Sequence, residues 1–153
     1  MKYALLLVLL VGPAHGAEFS KEQAAVLDGM YPDKALTPGV INPALTKDVI
    51  CSPNFRTGDY RHVTLKMHEQ VWASYGMDWK TDHSCCEDDH FIPIELGGAN
   101  DNANRWPEPW VDAHKKDEVE NYLKRQVCKE GLPLAEAQRE ISTYWMAVWR
   151  EIR

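Results

Sequence analysis

The chain has 153 residues, 26% of them charged and 44% hydrophobic, and 17 Lys and Arg stand against 23 Asp and Glu for a net charge of −6. That length supports one compact domain, and no internal repeat, low-complexity run or phosphate-binding glycine loop is present. The acidic balance argues against tight, sequence-indifferent DNA binding, which depends on neutralising phosphates and releasing counterions.

Residues 1–16 read as a signal peptide. Lys2 precedes an apolar run over 3–11, and Ala14-His15-Gly16 supplies small residues where a signal peptidase cuts. The run is shorter than the roughly 20 apolar residues a membrane span needs, so no membrane anchor is expected after cleavage. The predicted location is secreted or periplasmic. Removing 1–16 takes away Lys2 alone of the charged residues, which leaves 16 basic against 23 acidic and a net charge of −7.

Residues 17–60 are predicted to form an N-terminal extension packing on the core. Ser20 with Gln23 resembles a capping box for a short helix over 21–27. Pro32, Pro38, Gly39 and Pro43 then interrupt regular structure. Residues 61–153 are predicted to hold the core and the C-terminal helices. Leu65, Val71, Trp72 and Tyr75 suit an amphipathic helix that Gly76 ends. His62 and His68 read as structural or surface residues.

The segment 85–110, CCEDDHFIPIELGGANDNANRWPEPW, carries the chemistry. Its order predicts strand, turn, strand, helix, with the apolar run 91–94 leading into Gly97-Gly98. His90 is a base that is largely neutral near pH 7. Asp89 is a hard oxygen donor for a divalent cation, and His114, at the head of the next helical pattern, offers a second ligand. Such a cation would polarise a phosphoryl oxygen, so hydrolysis of a phosphodiester is the expected reaction. Asn100 and Asn102 read as turn residues.

Beyond the motif, Val119, Tyr122, Leu123 and Val127 recur at helical spacing over 112–128. Leu134, Ala137, Ile141, Trp145, Val148 and Ile152 do so in a last helix, read as core packing. Trp106 and Trp110 are expected to be buried. Basic residues cluster after the motif. Arg105, Lys115 and Lys116 are the candidates for binding nucleic acid, with Lys124, Arg125 and Lys129 further on.

Four cysteines, Cys51, Cys85, Cys86 and Cys128, allow three full pairings in an exported chain. Cys85-Cys86 could form a vicinal bridge, stay reduced, pair with another chain, or join His83 at a zinc ion.

At Asp89-His90, Ile92-Pro93-Ile94, Gly97-Gly98 and Asn104-Arg105 the sequence resembles the HNH nucleases, whose core is a ββα-metal (His-Me finger) unit. The likeness extends to small secreted bacterial members through Thr37-Pro38-Gly39-Val40, Trp106-Pro107-Glu108, Lys116-Asp117, Val127-Cys128 and Ala137-Gln138. The resemblance implies His90 as general base, Asp89 as metal ligand and Asn104 as the brace of the loop presenting the base. It also implies a Cys51–Cys128 disulfide, worth roughly 2–4 kcal/mol. Related sequences place a helix His where this chain has Lys124. If that position is the ligand, Glu118 or Glu120 is the substitute, and otherwise His114 is. The expectation is a single α+β domain with a ββα-metal core and a mostly helical, disulfide-stabilised surround. Its expected activity is metal-dependent endonuclease action on DNA, with RNA as a further substrate, using magnesium, manganese or zinc. The competing expectation is a secreted binding protein on the same scaffold that has lost catalysis.

Overall fold

Two five-residue segments on either side of the double-glycine turn pair as antiparallel strands, β1 (Cys86–His90) and β2 (Arg105–Pro109), in the computed structural model, which describes residues 30–153. The expected signal peptide and the expected helix over 21–27 lie outside the described residues. Among those described, three α-helices precede the strands: α1 (Lys47–Ile50), α2 (Leu65–Ser74) and α3 (Trp79–Asp82). Two follow: α4 (Trp110–Arg125) and α5 (Leu134–Glu151). The fold is α+β, and the second strand runs directly into α4.

The register aligns Glu87 with Glu108, Asp89 with Trp106 and His90 with Arg105. Side chains alternate faces along a strand, so Glu87, Asp89, Trp106 and Glu108 share one face and Cys86, Asp88, His90 and Arg105 the other. Helix α4 covers the first face, where Lys116 reaches Asp89. Helix α2 covers the second, where His68 reaches Asp88 and Cys86 packs with Val71 and Trp72. A sheet enclosed on both faces explains why so polar a pair of strands is largely buried.

The apolar run behaves differently from the expected strand. β1 stops at His90, Pro93 breaks the ladder, and a 3-10 turn forms over Ile94–Leu96. Phe91, Ile92, Ile94 and Leu96 are all buried. Ile92, Ile94 and Leu96 join Val119 and Leu123 of α4 and Ala137, Ile141 and Trp145 of α5 in the main core. The two glycines after them are structural requirements. Gly97 has φ +83, and a Cβ on Gly98 would lie 1.7 Å from the Ile92 carbonyl oxygen.

Thr64 caps α2 by accepting from the Met67 amide, and Gly76, at φ +72, follows its end as expected. Helix α4 begins two residues before the predicted start. It passes into a π-helical turn, Gln126–Glu130, that Gly131 terminates at φ +86. The disulfide Cys51–Cys128 ties that turn to the end of α1 across 77 positions of sequence. Cys85 and Cys86 are bonded to each other, so neither thiol is free for a zinc ion. Trp106 is buried as expected, whereas Trp110 is 43% exposed. No helix among the described residues is long and apolar enough to cross a membrane.

Candidate active site

The loop between the strands is held by one side chain. Asn104 is 0% exposed, and its Oδ1 accepts from the amides of Ile92 (3.0 Å) and Val40 (3.2 Å). Its Nδ2 donates to the carbonyls of Ile92 and Ala99, both at 2.9 Å. The Phe91 amide adds a bond to the Asn104 carbonyl at 2.8 Å. All four hydrogen-bonding positions of the amide side chain are therefore used to fix the turn just after His90. Residues 39–42 run alongside, through Gly39 to Ala103, Ala99 to Val40 and Asn42 to Gly97.

His90 stands at the end of β1 with only 3% of its surface exposed. Its Nε2 lies 2.9 Å from Asn100 Oδ1, while Asn100 Nδ2 donates to the His62 carbonyl at 2.9 Å. The second bond fixes which end of the Asn100 amide faces the ring, so Nε2 carries the proton and Nδ1 keeps its lone pair. Burial lowers the His90 pKa to about 4, against the opposing pull of Asn100 and Asp89 and with the aid of Arg61 and Arg105. The ring is a neutral base throughout the physiological range.

On the α2 face, Arg105 is fully buried and grips Asp88 with two nitrogens, Nε to Oδ1 at 3.0 Å and a terminal nitrogen to Oδ2. His68 reaches the same Oδ2 and stacks on Trp79, with ring centres 4.3 Å apart. Arg105 also donates to Asn102 at 3.1 Å, and its carbonyl accepts from Thr37 at 3.0 Å. This buried charge pair ties β1, β2 and α2 together.

On the α4 face the cation is Lys116, 1% exposed. Its Nζ donates to Asp89 Oδ2 at 2.8 Å, to the His90 carbonyl at 3.1 Å and to Glu120 Oε1 at 2.5 Å. Burial alone would lower its pKa, but Asp89, Glu120 and Glu108 outweigh that and leave it raised. Glu108 is 0% exposed, and its carboxyl group lies within hydrogen-bonding reach of Asp89. Burial, then the charge of Asp89, pushes its pKa well above the usual carboxylate range, and burial does the same to Glu120 against the pull of Lys116. Glu87 and Asp117, at the edge of this group, are raised by burial and by Asp89.

The structure thus places His90, Asn104 and Asp89 at one strand end, with Asp89 on the α4 face and His90 on the other, and leaves other expected residues elsewhere. His114 is exposed on α4, its ring 6.1 Å from that of Trp110. Asp89 already holds an ammonium, and no group of three His, Cys, Asp or Glu fit to hold a metal ion occurs among the described residues. The expected ligand pair does not fit a divalent cation. Arg105 and Lys116, expected at a nucleic-acid surface, are buried because each neutralises a strand carboxylate. Lys115 is paired with Asp112 at 2.9 Å. Of the other basic residues after the motif, Arg125 and Lys129 are exposed and Lys124 is half-buried over the Phe55 ring, and all three line a cleft of about 380 Å³ beside the Cys51–Cys128 bridge.

Asn100, Glu108 and Arg61 bear on this site in ways that the sequence pattern does not announce. Asn100, read from the sequence as a turn residue, fixes the His90 tautomer; its place ten residues after His90, in an Asn-rich loop, is the only signal. Glu108 sits opposite Glu87 only once the register is known. Arg61 is exposed, yet its charge bears on His90, Glu87 and Asp117. Comparison with known protein families, with curated proteins and with solved structures finds nothing that matches this chain.

Proposed function

We propose that the protein is an exported phosphodiesterase of the HNH type that cleaves nucleic acid, DNA in the first place and RNA as a further substrate. The observation that carries the reading is the Asn104 brace. It holds the strand end so that His90 presents a tautomer with Nδ1 unprotonated, backed by Asn100 at Nε2. A base fixed in this way takes a proton from water without first losing one of its own. As His90 takes the proton, the water oxygen bonds to phosphorus, the bond from phosphorus to the leaving sugar oxygen breaks, and that oxygen takes up a proton from solvent; Arg61, whose charge reaches His90, supplies positive charge for the phosphate. The β1, turn, β2, α4 order and the Asp89-His90 pair support the family resemblance. The Cys51–Cys128 bridge accords with export.

A binding protein on the same scaffold, without catalysis, is the second reading. It is favoured by the commitment of Asp89 to Lys116. The discriminating experiment incubates the oxidised protein with plasmid DNA and single-stranded RNA, comparing wild type with His90→Ala. The nuclease reading expects cleavage that drops by about 100-fold or more in the variant. Folded wild type that cuts neither substrate would transfer the assignment to the binding reading.

A further inference from the structure

The position that a divalent cation would take against Asp89 is filled from within the chain. An ammonium has three N–H donors, and Lys116 places them on three oxygens: Asp89 Oδ2, Glu120 Oε1 and the His90 carbonyl. A hard divalent ion seeks the same donor types, carboxylate and carbonyl oxygen. Lys116 and Glu120 stand one helical turn apart on α4, so a single helix face supplies both the cation and one of its anions. The Glu108 carboxyl group lies in the same enclosure, fully buried and within hydrogen-bonding reach of Asp89.

We propose that the Lys116 ammonium is the resident cation of this site, tying Asp89 and the His90 carbonyl to α4, so that the wild-type protein takes no divalent ion on Asp89. Lys116 is then a positioning residue: it holds the strand end that presents His90 and neutralises Asp89 in place of a metal. The inference rests on the reading of Asp89-His90 as the reactive strand end, but not on catalysis. For a metal to enter, the ammonium would have to leave three oxygens and take its charge out of a buried ion pair. That cost lowers any divalent affinity at Asp89 by roughly 100-fold or more relative to a chain lacking the lysine.

The test titrates manganese(II) into oxidised wild type, Asp89→Asn and Lys116→Ser, following free manganese by electron paramagnetic resonance. The expected result is that wild type and Asp89→Asn deplete the free-ion signal equally little. Lys116→Ser, if folded, is expected to take up manganese. Stoichiometric uptake by wild type that disappears in Asp89→Asn would overturn the proposal, and this comparison does not depend on the lysine variant folding. Nucleic-acid cleavage provides a second arm: activity that survives chelator agrees with the proposal, and folded wild type that cuts only with added metal contradicts it. A wild type that neither cuts nor binds manganese would end the nuclease reading while leaving the lysine assignment in place.

Discussion

Replacing Asn104 by Ala removes one side chain and strands four backbone groups. The amides of Ile92 and Val40 lose an acceptor, and the carbonyls of Ile92 and Ala99 lose a donor. The site is fully buried, so solvent does not replace these bonds without the turn opening. At about 0.5–1.5 kcal/mol for each net hydrogen bond, and more for each buried group left unpaired, the expected loss is roughly 3–6 kcal/mol. That is a large share of the stability of a small domain. Urea unfolding followed by circular dichroism would measure it, with the disulfides intact. Asn104→Asp keeps the two accepted bonds but loses both donated ones and buries a charge, so it should be comparably destabilised. A loss below about 1 kcal/mol for Asn104→Ala, with an unchanged slope, would refute the claim that this side chain holds the loop.

Three further predictions follow from the same geometry. The His90 pKa is about 4 in the folded chain against 6.5 for the free group, so unfolding takes up a proton between those values. Its contribution to stability is fully present above pH 6.5 and is lost as pH falls to 4, by about 3 kcal/mol in all. The stability difference between wild type and His90→Gln should shrink by that amount from pH 7 to pH 4, and a flat difference would contradict the burial of a neutral ring. Gly98→Ala should give little folded protein or a displaced turn, because the added carbon meets the Ile92 carbonyl; near-native stability on denaturant titration would show that the close approach is absent. The Cys51→Ser, Cys128→Ser double variant should lose roughly 2–4 kcal/mol, measured against wild type under oxidising conditions, with no loss expected when both are reduced.

Helix α5 was legible from its stripe of Ala137, Ile141, Trp145 and Val148, because one apolar face against one core is the pattern that helical spacing reports. The C-terminal end of α2 followed from Gly76, whose chemistry is local, whereas the Thr64 cap at its start emerged only in the structure. The strands were harder. β1 reads Cys-Glu-Asp-Asp-His, and its burial comes from ion pairs on two faces that no alternation of apolar residues announces. The apolar run after it resembled a strand but was core filling, which Pro93 and the close turn at Gly98 enforce. Among the candidate site residues, Asp89, His90 and Asn104 converge at one strand end because the turn between the strands returns the chain. Arg105 and Lys116 were misplaced for a common reason: charge type in sequence does not say whether a partner waits inside. Their partners, Asp88 and Asp89, lie 17 and 27 positions away and become neighbours only through the sheet and α4.

The most direct test of the account is the pH dependence of kcat/KM for nucleic-acid cleavage by the oxidised protein, with His90→Ala as control. The account predicts activity sustained well below pH 6 with an acid limb that falls toward pH 4, where His90 takes its proton, and no such activity in the variant. An acid limb centred near pH 6.5, or a profile that His90→Ala leaves unchanged, would show that the buried His90 is not the base.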